Sequence, residues 1–186
     1  MTNDTEKSSV RKFWEEASAG EFWAIGNDER ERLTTEAAQR YVFEPYLPPF
    51  ADFASGGDRD VLEIGTGMGT DHLHWAKSGP RSLTGMDLSG RGVAYTRARL
   101  LQEGFIPRLM RGDAEKLPFA DSSFDLVYSW GVIHHSPDTP AAVRDRRFPK
   151  TRKMDWVVIN GNAAGIDGNP ERYVEDGCAV EIGGID

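Results

Sequence analysis

The sequence lacks three features that would each assign it to a class of protein. It has one cysteine, Cys178, so no internal disulfide can form. No apolar run approaches the roughly 18–20 residues that are needed to cross a bilayer. The formal charge of −8 argues against nucleic acid as a partner, because phosphate binding needs a basic face. The single cysteine and the four histidines follow no zinc-binding spacing, so we expect no metal.

What remains is an ordinary globular composition. The 186 residues suit one domain, and 39% of them are hydrophobic and 28% charged. The N-terminal segment MTNDTEKSSVRK has no apolar core, which argues against a secretory signal. We therefore predict a cytoplasmic protein with no membrane span.

The first 55 residues predict an N-terminal helical lid. Apolar residues share one face over 8–19, and a second helix is expected over 28–43 with Asp28 as its cap. We expect Pro45, Pro48 and Pro49 to end regular structure, since proline lacks the N–H that a helix needs. A polar linker, ASGGDRD, follows at 54–60.

From residue 60 strands and helices alternate. Strands are expected at 61–64, 82–87, 106–111 and 124–129, with helices near 69–78 and from about 89 to 104. This alternation predicts an α/β fold, a Rossmann-like parallel sheet with helices on both faces. Ligands of such sheets bind at the carboxyl ends of the strands.

A glycine-rich loop follows the first predicted strand. Glu63, Gly65, Gly67 and Gly69 form E-x-G-x-G-x-G, in which glycine permits a tight turn and close approach of a ligand. Dinucleotide-binding loops have glycine at the sixth position of G-x-G-x-x-G, where this chain has Thr70. Glu63 beside the loop suits a cation better than a phosphate. S-adenosylmethionine, which carries a sulfonium and no phosphate, therefore fits the loop better than a dinucleotide.

Acidic residues follow the next two strands. Asp87 ends the second strand 20 residues after Gly67, where a carboxylate accepts from both hydroxyls of a ribose. Its alternative role, capping the next helix, is already filled by Ser89. Asp113 is placed to accept from an adenine amino group, with the Ala114 N–H near a ring nitrogen. The alternative is that Asp113 is simply a turn residue.

Together these segments resemble the class I S-adenosylmethionine-dependent methyltransferases, in the branch (methyltransferase type 11) that includes small-molecule and quinone-biosynthesis enzymes. The resemblance rests on VLEIGTGMG, LTGMDLS, GDAEKLPFADSSFDLVYS and VIHHSPD, over about residues 60–140 in the family's order. It implies a cofactor-binding core over 56–144 and methyl transfer to a small-molecule acceptor. The cofactor residues that it implies are Glu63, Gly65, Thr66, Gly67, Asp87, Leu88, Asp113, Ala114 and Ser129.

The resemblance also implies a substrate pocket under the N-terminal helices. Phe13, Trp14, Trp23 and Tyr41 are available to line it, and for Phe13 and Tyr41 we favour a place in the core. His134 and His135 are the candidates for a catalytic base, because histidine titrates near neutrality. For this histidine pair we place a packing role ahead of catalysis.

Residues 145–186 depart from the family, which continues with a helix containing K-P-G and a fifth strand. Strands are expected here at 155–159 and 178–182. With one choice of codons, residues 145–153, DRRFPKTRK, become IAVFPKPGK after a one-base shift. We therefore hypothesise a frameshift near residue 145; the alternative is a divergent tail. Without a fifth strand, Leu126 and Val127 on the fourth should be poorly covered.

Two other functions stay open at this stage. A catalytically defective fragment would keep the cofactor residues but lose turnover. A nucleotide-binding oxidoreductase is disfavoured by Thr70 and by the GDAEKLPF segment. The sequence does not indicate the oligomeric state, the acceptor or the atom that is methylated.

Overall fold

The computed structural model describes residues 3–144 and the short segments 157–159, 173–175 and 178–182. Its helices are α1 Asn3–Glu16, α2 Glu29–Phe43, α3 Leu47–Ala51, α4 Thr70–Lys77, α5 Gly90–Gln102 and α6 Thr139–Arg144. Three 3₁₀ helices lie at Glu21–Trp23, Phe53–Gly56 and Ile133–His135. The strands are β1 Asp60–Ile64, β2 Ser82–Asp87, β3 Leu109–Arg111, β4 Leu126–Tyr128, β5 Val157–Ile159, β6 Tyr173–Glu175 and β7 Cys178–Ile182.

A four-stranded parallel sheet in the order β3-β2-β1-β4 forms the centre of the fold. This confirms the predicted α/β class. β2 has the predicted bounds, whereas β3 and β4 are shorter than the expected 106–111 and 124–129. Because all four strands run in one direction, their carboxyl ends meet at one edge of the sheet.

The two tail strands that the sequence predicts are present as β5 and β7. They pair in parallel, and β6, which the sequence analysis did not predict, pairs with β7 in the antiparallel sense. The remainder of 145–186, including most of the segment in which we hypothesise a frameshift, lies outside the described residues.

Alternate residues of the central strands fill the two faces of the sheet. On one face Val127 packs in a cluster with Leu62 and Phe124, and on the other Leu126 packs in a cluster with Phe53 and Trp75. Leu126 is 5% exposed and Val127 only 1%, so the expectation that they would be poorly covered is wrong. A fifth strand would cover the backbone edge of β4, whereas these side chains point to the two faces of the sheet, which other elements cover.

The N-terminal helices differ from the prediction mainly at their ends. Asp28 caps α2 as expected, since its Oδ1 accepts from the Glu31 N–H at 2.8 Å. Pro48 and Pro49 do not end regular structure but lie in α3, the first of them in its opening turn, where a helix tolerates the missing N–H. Part of the expected linker at 54–60 belongs to the 3₁₀ helix Phe53–Gly56 and to β1.

Glu21 holds the first 3₁₀ helix against α5. Its carboxylate accepts hydrogen bonds from the Arg91 guanidinium, from the Tyr95 hydroxyl at 2.6 Å and from the Ser18 N–H at 2.9 Å. The bond from Arg91, against an opposing effect of burial and with help from Tyr95, lowers the pKa of Glu21 from 4.5 to about 2. The contact therefore stabilises the fold only while Glu21 is ionised.

Acid is expected to weaken this contact. A depressed folded-state pKa gives stability that is present above the unfolded pKa of 4.5 and lost as the pH falls toward about 2. Between pH 6 and pH 2.5, Glu21→Gln should lose less free energy of unfolding than the wild type, by on the order of 1–2 kcal/mol after solvent screening. Urea unfolding across this range measures the difference. The exposed Glu29→Gln is the matched control, and equal losses in both variants would contradict the assignment.

Candidate active site

A cleft opens at the carboxyl ends of the four parallel strands and is bordered by α1 and α2. We call it the site cleft. Most of the site residues predicted from the sequence line it: Glu63, Gly65, Thr66, Gly67, Asp87, Leu88, Asp113, Ala114 and His135. Ser129 and His134 are not part of its lining. Ser129 is fully buried and its hydroxyl donates to the Ile64 carbonyl at 3.0 Å, which gives it a structural role.

The three glycines of the loop serve different purposes. All have positive φ angles, of 81° at Gly65, 51° at Gly67 and 78° at Gly69, which L side chains rarely adopt. A Cβ on Gly65 would lie 2.1 Å from a methyl of Val132, and one on Gly69 would lie 2.7 Å from the Thr96 backbone. A Cβ on Gly67 would meet only the Ser18 hydroxyl, at 3.7 Å. Gly65 and Gly69 therefore permit close packing, while Gly67 leaves space in the cleft.

Asp87 is held beside the loop by three donors. Oδ2 accepts from the Gly67 N–H at 2.9 Å, and Oδ1 accepts from the N–H and hydroxyl of Ser89 at 2.9 and 2.8 Å. Ser89 in turn caps α5 by accepting from the Gly92 N–H at 3.0 Å, as the sequence predicts. The carboxylate is therefore fixed in orientation, and Oδ2 keeps a lone pair beyond its one donor.

Glu63 lies at the base of the cleft and pairs with a residue that the sequence analysis missed. Its Oε2 is 2.8 Å from Nδ1 of His72, and both side chains are buried. Burial, with the nearby Asp71 charge, raises the pKa of Glu63, and burial lowers the pKa of His72 to about 3. Burial therefore disfavours the charged form of both side chains.

Asp71, in the first turn of α4, joins α2 to the core. Its carboxylate accepts two bonds from Arg40, at 2.9 and 3.2 Å, and one each from the hydroxyls of Tyr41 and Tyr128, at 2.8 and 2.9 Å. Burial and the Asp71 charge raise the pKa of both tyrosines, so both remain donors. Four donors occupy the four acceptor positions of one carboxylate.

A second buried ion pair fixes α2 one turn earlier. Glu36 is 1% exposed and accepts from Arg99 on α5 and from the Thr70 hydroxyl at the start of α4, both at 2.5 Å. Glu36 and Arg40 are four residues apart, so both lie on the helix face that lines the cleft. A charged i, i+4 pair is usual on exposed helices, so the spacing of Glu36 and Arg40 does not indicate their burial.

Lys7 on α1 reaches the loop after β3. Its ammonium lies 2.8 Å from Asp113 Oδ2 and also donates to Glu115. Glu115 further accepts from the Ser136 hydroxyl and, at 3.1 Å, from the Asp138 N–H. Asp113, which the sequence predicts as an adenine acceptor, thus also holds α1 over the cleft.

The two histidines lie on the 3₁₀ helix after β4. Their rings are 3.9 Å apart, and His135 lines the cleft with its edge against Trp14 of α1, at 5.2 Å. Burial, helped by His135, lowers the pKa of His134 to about 4, and burial also lowers the pKa of His135. Both rings are therefore neutral near pH 7. Among the described residues, Nδ1 of His134 is buried without a hydrogen-bond partner.

The other aromatic candidates have separate places. Phe13 is 61% exposed, so the core position that we favoured for it is wrong. It packs edge-on against Trp14, which takes the inward position on the same helix. Tyr41 packs against the core as expected, and Trp23 stacks on Phe43 at 5.0 Å outside the cleft lining.

Comparison with known proteins decides the family. A family model described as "Methyltransferase domain" matches residues 61–147. The chain is 27% identical to 27-O-demethylrifamycin SV methyltransferase of Amycolatopsis mediterranei over 91% of this chain and 61% of that protein. It is 33% identical to fatty-acid O-methyltransferase of Mycolicibacterium smegmatis over 55% of this chain and 37% of that protein. The crystal structure of YcgJ from Bacillus subtilis matches with a TM-score of 0.52 and 28% identity over 57% of this chain and 47% of that one.

Residues 61–147 therefore match the methyltransferase domain family, and the fold is that of the class I S-adenosylmethionine-dependent methyltransferases. The chain spans less than two thirds of the length of the curated relatives named above. Because the match to the rifamycin methyltransferase covers 91% of this chain, it extends beyond residue 144 into the tail.

Two further findings concern membrane-spanning helices and metal-binding groups. Within the part of the chain that the structure describes, no helix is both long and apolar enough to cross a membrane. The same residues contain no group of three or more histidine, cysteine, aspartate or glutamate side chains arranged for a metal ion.

Proposed function

We propose that the chain binds S-adenosylmethionine in the site cleft and transfers its methyl group to a small-molecule acceptor. The observation that carries the proposal is the carboxylate of Asp87, fixed by the Gly67 N–H and by Ser89 at the carboxyl end of β2. A carboxylate at this position of a parallel sheet suits the two hydroxyls of a ribose. The names of the two curated relatives, which specify a demethylrifamycin and a fatty acid, support a small-molecule acceptor.

The charge of the cleft favours this cofactor over a dinucleotide. Among the described residues, six carboxylates and two cations line the cleft. Each of these cations, Lys7 and Arg40, is already paired with two carboxylates. A pyrophosphate would meet this acidic lining without a free cation, whereas S-adenosylmethionine carries a sulfonium and an ammonium against a single carboxylate and is therefore attracted to it.

Each predicted residue would then have a distinct task. Asp87 would accept from the ribose hydroxyls and Asp113 from the adenine amino group, with the Ala114 N–H directed at the ring. Gly65, Thr66 and Gly67 would follow the methionine portion. We keep residues 1–55 as a proposed lid, 56–144 as the proposed cofactor domain and 145–186 as a tail.

When bound, the cofactor supplies a methyl group that its sulfonium makes electrophilic. The residues of the chain need to hold the acceptor oxygen or nitrogen in line with that methyl and to exclude water, and such alignment contributes roughly 7–11 kcal/mol to catalysis. The acceptor would bond to that methyl group as the carbon–sulfur bond breaks with its electron pair left on sulfur, and it would then have one proton to lose. His135 is neutral and faces the cleft, so we propose that it receives this proton. His134, away from the lining, is proposed to pack and orient the ring of His135.

Thermal unfolding with ligand tests the binding step. S-adenosylhomocysteine at about 100 times its Kd is expected to add roughly 2.7 kcal/mol to the free energy of unfolding and to raise Tm by about 5–10 °C. NADH at the same concentration should leave Tm unchanged. A rise with NADH and none with S-adenosylhomocysteine would favour the oxidoreductase that the sequence left open.

Gly67→Ala is expected to weaken S-adenosylhomocysteine binding about tenfold or more. The new methyl group would project into the cleft and strain a residue with φ of 51°. Gly79→Ala is the matched control, because Gly79 has φ of 75° and open space around its missing Cβ. Both variants should lose about 1–2 kcal/mol of folding stability from the positive φ. Equal calorimetric Kd values for the two variants would show that Gly67 does not face the ligand.

The frameshift hypothesis stays a prediction, as does a cytoplasmic location. The nucleotide sequence of the gene tests the frameshift directly. Codons that yield K-P-G in no shifted frame after residue 145 would contradict it. A defective fragment is distinguished from an enzyme by turnover: it would bind S-adenosylhomocysteine and transfer no methyl group.

A further inference from the structure

Two tryptophan side chains line the site cleft. Trp130 follows β4, and Trp14 comes from α1. His135, the proposed base, lines the same cleft and touches Trp14. A flat apolar surface and a proton acceptor therefore belong to one pocket.

A hydrogen bond and two aromatic contacts hold the Trp130 ring in one orientation. Its indole N–H donates to Glu44 Oε1 at 3.3 Å, and Glu44 is itself paired with Arg40 at 3.0 Å. The ring packs at 5.5 Å from Phe50 and at 5.9 Å from Tyr46. A ring that is fixed in this way presents one face to a ligand at low entropic cost.

The charges of the lining exclude one class of acceptor. The cations Lys7 and Arg40 are each engaged by two carboxylates, so among the described lining residues neither is left to bind an anionic group. His135 is neutral near pH 7. Six carboxylates line the same cleft, so the described lining offers a carboxylate or phosphate on the acceptor no free positive partner.

We propose that the methyl acceptor is an uncharged, ring-bearing hydroxy compound that stacks on Trp130, with its hydroxyl directed toward His135. This inference rests on the proposed methyltransferase function and deepens it. Stacking on a fixed indole selects planar rings, since offset and edge-on aromatic contacts gain energy beyond the area that they bury. The acidic lining selects neutral ones.

A panel of three compounds tests the two selections separately. 2-Naphthol is planar and neutral, 6-hydroxy-2-naphthoate is planar and anionic, and decahydro-2-naphthol is neutral and not planar. With the full chain saturated by S-adenosylhomocysteine, equilibrium dialysis should show 2-naphthol binding at least tenfold more tightly than the anion. It should also bind several-fold more tightly than the saturated alcohol.

Variants of Trp130 locate the effect. Trp130→Leu should weaken 2-naphthol binding about tenfold while leaving the Kd for S-adenosylhomocysteine within twofold, and Trp130→Phe should restore most of the binding. Trp23→Leu is the control, because Trp23 stacks on Phe43 outside the lining. If Trp130→Leu lacks a cooperative melt, 2-naphthol binding is compared between Trp130→Phe and Trp130→Tyr instead. Both of these variants keep a stacking ring, and they differ in the polarity of that ring.

The outcomes separate the two levels of the proposal. Absence of S-adenosylhomocysteine binding in the wild type overturns the proposed function itself. Binding of S-adenosylhomocysteine with equal affinity for 2-naphthol and the anion, or with no effect of Trp130→Leu, overturns this inference alone. Selective 2-naphthol binding that depends on Trp130 supports it.

Discussion

Replacement of Asp71 by alanine is expected to lower the free energy of unfolding by about 3–5 kcal/mol, because it leaves the buried Arg40 guanidinium with Glu44 as its one remaining carboxylate partner among the described residues. The Asp71 and Arg40 side chains are 6% and 16% exposed, so water replaces little of the lost interaction. Tyr41 and Tyr128 each lose the acceptor for a hydroxyl at the same time. Urea unfolding at pH 7 measures the change.

Tyr41→Phe is the matched control for Asp71→Ala. It removes one of the four donors and keeps the ion pair, so it should cost only about 1 kcal/mol. Asp71→Asn, which retains one acceptor oxygen, should fall between the two. Similar small losses of unfolding free energy in all three variants would show that water solvates Arg40 when Asp71 is absent. The hydrogen bonds to Asp71 would then not fix α2.

Asp87→Ala is expected to weaken S-adenosylhomocysteine binding by 100-fold or more. A ribose with two hydroxyls would lose its acceptor, and each hydrogen bond to a charged group contributes roughly 1.5–3 kcal/mol. The variant also frees the Gly67 N–H that now donates to Oδ2, so the loop loses its fixed shape. Both effects raise the calorimetric Kd.

Two controls accompany Asp87→Ala. Asp121→Ala makes the same chemical change at an exposed position and should leave the Kd within twofold. Asp87→Asn keeps one oxygen for Gly67 or for the ribose and should give an intermediate Kd. A cooperative melt of Asp87→Ala with an unchanged Kd would remove Asp87 from the site.

Local patterns explain the parts of the fold that the sequence predicts. β1, α4, β2 and α5 were placed within about two residues because alternation, glycine turns and a capping serine act over short stretches. α3 was missed because proline normally ends helices, and only its place in the first turn makes it compatible with one. The coverage of Leu126 and Val127 depends on elements that are distant in sequence, which a strand pattern does not reveal.

In the candidate site too, the sequence predicts the residues at strand ends and does not predict pairs that are distant along the chain. Strand ends place Gly67, Asp87 and Asp113 together, and the sequence therefore predicts them. Lys7 lies 108 residues from Glu115 in the chain, and Arg40 lies 31 residues from Asp71, so their pairing has no local signature. The family resemblance implied Ser129 as a cofactor residue, but its hydroxyl donates to the Ile64 carbonyl.

Calorimetric titration of the purified chain with S-adenosylhomocysteine, with NADH as the control, tests the central claim most directly. We predict saturable binding of S-adenosylhomocysteine with one site per chain and no heat of binding for NADH. Absence of binding to S-adenosylhomocysteine, in a chain that melts cooperatively, would contradict the assignment of the site cleft to this cofactor.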